Sequence, residues 1–179
     1  DEVVKFKGLG KVWRSSDGRE KLVFRGADGL VKRGDRVAVV GVNGAGKSTF
    51  LNMLAGLDKP TKGEIIIAGR HIEKLNESGL VKFRREHVGF IFQSYNLLPS
   101  LNAKENVALP LSFGGIDKKE REKMAEETLE LVGLEQYMNH HPTEMSGGQQ
   151  QRVGIARALV LKPEIIFADE PTGNLDSHT

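Results

Sequence analysis

The chain has 179 residues, enough for one domain with an inserted lobe, and its 39% hydrophobic and 28% charged residues are ordinary for a globular α/β protein. A net charge of +2 is too small to argue for nucleic acid binding, and the lack of cysteine excludes disulfides and thiolate zinc sites. The longest apolar runs, residues 37–40 and 65–68, fall far short of the roughly 20 residues that span a bilayer, and Asp1-Glu2-Val3-Val4-Lys5-Phe6 does not read as a signal peptide.

Residues 3–40 read as short strands, with turns at Asp17-Gly18 and Gly34-Asp35. Arg36-Val37-Ala38-Val39-Val40 is an apolar run of the kind that forms a strand buried on both faces. It leads into Gly41-Val42-Asn43-Gly44-Ala45-Gly46-Lys47-Ser48-Thr49, after which residues 50–56 have helical apolar spacing ending at glycine. Ile65-Ile66-Ile67-Ala68 reads as a strand, and so does Val88-Gly89-Phe90-Ile91-Phe92, which ends at Gln93. From 94 to 145 the text turns helical. Residues 117–132 carry a patchy apolar face of Met124, Leu129, Leu131 and Val132, with Asp117 suited to the N-cap and Gly133 to the C-cap. Ser146-Gly147-Gly148-Gln149 opens a further helix through Leu161, stopped before Pro163, and Ile165-Ile166-Phe167-Ala168 reads as a buried strand ending at Asp169-Glu170.

Gly41 to Ser48 match G-x-x-x-x-G-K-[ST] in full, between an expected strand and an expected helix. Each residue type has a physical reason. Glycines let consecutive N–H groups turn inward around a β-phosphate without a Cβ clash. The following helix presents its positive end to the same phosphate. Lys47 brings a mobile charge to the β- and γ-phosphates, and Ser48 offers a hydroxyl to Mg²⁺. Asp169 and Glu170 suit an acid that supports Mg²⁺ and a second carboxylate that orients or deprotonates the attacking water, although two acids after a strand equally suit a surface turn. Gln93 is either a polar strand end or a group that touches Mg²⁺ and that water. Ser146 can cap its helix, and Gly147-Gly148 permit close approach of a phosphate, although in isolation the tetrapeptide reads as a flexible helix start. One nucleotide cannot easily use two such anion sites separated by a helical lobe. Two chains arranged head to tail resolve this, each closing residues 146–150 over the γ-phosphate at the other's Lys47.

These motifs, in this order, resemble the ATP-binding cassette (ABC) ATPases over nearly the whole chain. The resemblance implies an α/β P-loop NTPase fold with a mainly parallel central sheet, an N-terminal antiparallel β part and an inserted helical lobe. On that frame, residues 1–93 form the β part and P-loop core, 94–161 the helical lobe and signature helix, and 162–179 the Walker B strand and dimer-contact loop. It implies ATP and Mg²⁺ as ligands. Gly41, Asn43, Gly44, Ala45, Gly46, Lys47, Ser48 and Thr49 would hold the phosphates. Ser48, Gln93 and Asp169 would serve the metal, and Glu170 would be the catalytic base with Gln93 and Lys47 assisting. Ser146, Gly147, Gly148 and Gln149 would act in trans on the other chain's ATP. Asp176 would cross towards that chain. Trp13 stands where these proteins usually carry a tyrosine that stacks on adenine, with Phe24 a second candidate whose neighbours suggest core.

The subfamily text is mixed. From residue 57 onward it resembles the ATPases of lipoprotein-release and macrolide-export transporters, whereas residues 24–28 and 34–49 resemble the F-type ABC proteins that act on ribosomes. A chimera joined after the phosphate loop is one explanation. The family continues past the dimer-contact loop with another strand and a γ-phosphate histidine. His178 lacks the following acid of that pattern and is not given its role. A chain without that stretch is expected to bind ATP but hydrolyse it weakly, and to rearrange its sheet or borrow the strand. Three functions compete: an ATPase driving membrane transporter subunits, cytoplasmic and peripheral to the inner membrane, with residues 97–111 meeting those subunits; a nucleotide-gated module for a ribosome or another assembly; and an engineered or truncated fragment.

Overall fold

Two 13-residue strands, rather than several short ones, open the fold: β1 (Glu2–Arg14) and β2 (Glu20–Lys32). They pair antiparallel around the Asp17-Gly18 turn, with Trp13 opposite Lys21 and Arg14 opposite Glu20. β3 (Lys62–Ile67) takes the other edge of β1 and β4 (Arg70–His71) follows it, so the sheet runs β2-β1-β3-β4. Alternation decides which side chains go inside: Ile65 and Ile67 are buried and Ile66 is not. Met53 of α1 (Lys47–Leu54) and Leu80 of α2 (Glu77–His87) converge with Ile65 and Ile72.

The computed structural model describes residues 1–173. The chain divides into two units, the first ending at Arg84 and the second starting at Arg85. In the second, β5 (Val88–Ile91) and β6 (Ile165–Ala168) form a parallel pair with Ile91 opposite Ala168. Three helices make the lobe: α3 (Ala103–Ser112), α4 (Lys118–Leu131) and α5 (Gly147–Leu159). Their shared core includes Val107, Leu111, Leu129, Leu134, Val153 and Ala156. Asp117 caps α4 as expected, its carboxylate accepting from the Lys119 N–H, and Gly133 follows the helix in the left-handed conformation. Asn106, fully buried, pins the 98–102 loop: it accepts from the Leu98 N–H and donates to the carbonyls of Leu98, Leu101 and Asn102.

Two expectations are corrected here. Residues 36–40 do not form a buried strand: they carry no ladder, and Val37 is 65% and Val40 90% exposed. An apolar run becomes a strand only when a neighbour completes its hydrogen bonds. Within this unit, β2 and β3 already occupy both edges of β1, and no strand of that sheet pairs with 36–40. Likewise, β6 is not buried throughout, because a two-stranded pair covers it incompletely. Phe167 points inward while Ile166 stays 43% exposed. The architecture is otherwise the mixed α/β one, with an N-terminal antiparallel sheet, a parallel pair and a helical lobe.

Candidate nucleotide site

The phosphate loop of the first unit is exposed from Gly41 to Ala45 and ends where α1 begins. The Ala45 N–H donates to the Val42 carbonyl at 3.1 Å, closing a turn, and Gly44 and Gly46 adopt φ of 80° and 91°. A side chain at Gly46 is barred twice, because a Cβ there would lie 2.5 Å from Val23 Cγ1. The Lys47 ammonium folds back over the loop, donating to the carbonyls of Gly41 at 2.7 Å and Val42 at 3.0 Å. Ser48 is exposed on the first turn of α1 beside the half-buried Thr49, and Asn43 is exposed in the loop. Phe50 seats the helix by edge-to-face contacts with Phe6 and Phe24, at 5.2 and 5.6 Å between ring centroids. Phe24, half-buried, therefore packs on the phosphate-loop helix. Trp13 is 48% exposed.

The second unit brings together Gln93, Asp169 and Glu170, which sequence alone leaves 76 residues apart. Register does this: the Asp169 N–H donates to the Ile91 carbonyl at 3.0 Å, extending the β5–β6 ladder by one residue. Gln93 and the acidic pair then stand at the carboxyl ends of two adjacent parallel strands, where open α/β sheets bind ligands. Gln93 Nε2 donates to Glu170 Oε2 at 3.2 Å. Glu170 holds φ of 43°, a conformation non-glycine residues seldom adopt, and the Gly173 N–H donates to its carbonyl at 3.0 Å.

The start of α5 is a capping box. The Ser146 hydroxyl accepts from the Gln149 N–H at 3.3 Å, and Gln149 Oε1 accepts from the Ser146 N–H at 2.9 Å. Gln149 is thus engaged in its own helix start, while Ser146 stays exposed, followed by the half-buried Gly147 and Gly148. Asp176 and His178 lie outside the described residues.

Two further groups escaped sequence reasoning, because nothing local marks them. Arg157, on α5, donates Nη1 to the Asn96 carbonyl and Nη2 to the Tyr95 carbonyl, both at 2.7 Å. Tyr95 and Asn96 have φ of 47° and 52°, so one planar fork clamps two consecutive left-handed residues just past Gln93. Burial pushes the guanidinium pKa down from its usual high value. Gln151, also on α5 and buried, donates to the Pro171 carbonyl immediately after Glu170. One helix thereby holds the segments that carry Gln93 and Glu170. Replacing Arg157 with lysine, a single point of charge, is expected to speed amide exchange at residues 94–96 and to lower turnover several-fold, about 1 kcal/mol, with ATP affinity unchanged. Hydrogen exchange and steady-state kinetics check this together.

Within the second unit, the side-chain amide of Gln93 and the carboxylate of Asp169 are oxygen donors of the kind a hard cation takes, and Ser48 of the first unit carries a hydroxyl of the same chemistry. Among the described residues there is no cluster of three histidines or acids that could cage a metal. Oxygen donors of this kind fit Mg²⁺, which takes one or two carboxylates together with substrate phosphates.

Of residues 97–111, Val107 and Leu111 are buried in the lobe's own core, which leaves Leu98 as the exposed leucine of that stretch together with Phe113 just beyond it.

The family model described as ABC transporter matches residues 24–173. The lipoprotein-releasing system ATP-binding protein LolD of Cytophaga hutchinsonii is 44% identical, over 99% of this chain and 78% of its own length. The macrolide export ATP-binding/permease protein MacB 2 of Yersinia pestis bv. Antiqua is 51% identical over 82% of this chain, which spans 22% of that protein. Among solved structures, the dimeric post-hydrolysis state of the ATP-binding cassette MJ0796, bound to ADP and Pi, superposes with a TM-score of 0.89 at 44% identity. It covers 97% of this chain and 76% of its own. Because the LolD alignment runs through residues 24–49 as well, it lends no support to a separately joined F-type part.

Proposed function

We propose, for a chain that belongs to the ABC transporter family as an ATP-binding and ATP-hydrolysing domain, that Lys47 and the loop at 41–49 hold the phosphates while Glu170 activates water. The observation that carries the reading is the phosphate loop itself, with Lys47 Nζ poised on the loop's own carbonyls. An incoming phosphate offers that ammonium a charged acceptor in place of two neutral ones, which is the stronger bond. The N–H groups at the start of α1 add the positive end of the helix dipole. Mg²⁺, held through Ser48 with Gln93 and Asp169 in support, would neutralise charge on the β- and γ-phosphates. Glu170 takes the proton of the attacking water, and Gln93, which already donates to its carboxylate, keeps that carboxylate aimed. Saturable MgATP binding by calorimetry, beside phosphate release, tests the reading; a chain that binds no ATP sinks it.

The working form is a head-to-tail pair of such domains, in which residues 146–149 of one close on the γ-phosphate held by the other. The dimeric state of MJ0796 supports it, as does a second helix start, capped by Ser146, that is separated in sequence from the phosphate loop by a helical lobe. Ser146→Asp separates this role from capping, because aspartate caps as well as serine yet repels a phosphate. In a Glu170→Gln background, the variant is expected to weaken ATP-driven dimerisation at least about tenfold by sedimentation, with ATP binding to the monomer intact. The pair drives membrane subunits that move a substrate, as the names of the release and export relatives suggest, and it sits at the cytoplasmic membrane surface. No described helix is long and apolar enough to cross a membrane, so membrane attachment on this reading runs through those subunits.

A further inference from the structure

We propose that Lys11 is the positioning residue that fixes Trp13 for the purine ring of ATP. The inference rests on the reading of Trp13 as the base-stacking residue. Lys11 is 7% exposed, and lysines are almost never that buried without partners. Its Nζ lies 2.9 and 2.8 Å from the two Asp58 carboxylate oxygens and 2.7 Å from the Lys59 carbonyl. The same nitrogen stands 4.4 Å from the centroid of the Trp13 ring. Two residues apart on β1, the two side chains share one face of the strand.

The far ends of these contacts lead to the phosphate loop. Asp58 and Leu57 donate their N–H groups to the Asn52 carbonyl, inside the helix that starts at Lys47. Thr61 fastens the strand backbone as well, its N–H donating to the Gly10 carbonyl at 2.9 Å and its hydroxyl accepting from the Val12 N–H at 3.0 Å. A continuous run of contacts thus connects the indole to α1, so the spacing between base and phosphates is set within one folded unit. The ammonium occupies one face of the indole, yet Trp13 as a residue stays 48% exposed, and a base stacks on its open side. A cation against a π face draws density from it, which strengthens offset stacking with an electron-rich purine.

Trp13 is the only tryptophan among the 179 residues, so intrinsic fluorescence reports on this ring alone. The chain and its Lys11→Met, Lys11→Arg, Asp58→Asn and Trp13→Ala variants are titrated with MgATP and with inorganic tripolyphosphate, with calorimetry for the tryptophan-free variant. ATP is expected to quench the wild-type emission. Lys11→Met is expected to weaken ATP about 3- to 10-fold with tripolyphosphate affinity unchanged, and Lys11→Arg to recover most of the loss. In a Trp13→Ala background the Lys11→Met effect should vanish. If Lys11→Met does not fold, Asp58→Asn, which loosens the tether while retaining the lysine, carries the same base-selective loss. Equal weakening of ATP and tripolyphosphate, or no change in either, overturns the role of Lys11. Absence of quenching in the wild type, with ATP affinity unaltered in Trp13→Ala, instead overturns base stacking by Trp13, and the proposal for Lys11 falls with it.

Discussion

Lys47→Ala is expected to lower ATP affinity at least about 10- to 100-fold and to bring turnover to background, because a charge-assisted contact with phosphate contributes about 1.5–3 kcal/mol and each 1.4 kcal/mol is tenfold. The loss comes from two sources. The ammonium is the mobile charge of the loop, and it also ties Gly41 and Val42 together before any nucleotide arrives. Alanine removes both, so the loop is left looser as well as less positive. Calorimetry with MgATP and with MgADP distinguishes the two contributions. A purely structural effect weakens both nucleotides alike, whereas loss of γ-phosphate recognition weakens ATP more. Wild-type ATP affinity in Lys47→Ala would remove the phosphate-loop assignment altogether.

Glu170→Gln is expected to spare ATP binding and reduce turnover by about 10²- to 10⁴-fold, the range for losing a positioned general base. The change is nearly isosteric. Gln93 Nε2 now donates to a carboxylate oxygen at 3.2 Å, and the amide oxygen of the variant can accept the same bond. The strained backbone of Glu170 is held from outside the side chain, through the Gly173 N–H and through Gln151 at Pro171, so the turn survives. Phosphate release under saturating ATP, together with an ATP-binding isotherm, is the measurement. A variant that turns over at the wild-type rate would move the base elsewhere. Partial loss shared equally between kcat and kcat/KM would be expected of a group that acts only in the transition state.

What the sequence determined by itself is the chemistry that local rules dictate. The phosphate loop is legible because its backbone can be built only with glycine at Gly44 and Gly46, followed by a helix that opens with Lys47 and Ser48. The caps at Asp117, Gly133 and Ser146 are legible for the same reason, since each satisfies backbone groups within three or four residues. Tertiary structure decided what depends on distant partners. The run at 36–40 has strand composition but no neighbour to complete its ladder, and no reading of its own residues could reveal that. Trp13 and Phe24 are both aromatic candidates in sequence; folding packs the half-buried Phe24 against Phe50, while Trp13 stays accessible beside Lys11. Arg157, Gln151 and Lys11 are ordinary letters on a helix or strand until folding sets them on Tyr95 and Asn96, on Pro171, and on Asp58. Charge and hydrogen-bonding capacity are properties of a residue, but the partner that gives them a purpose is supplied by packing.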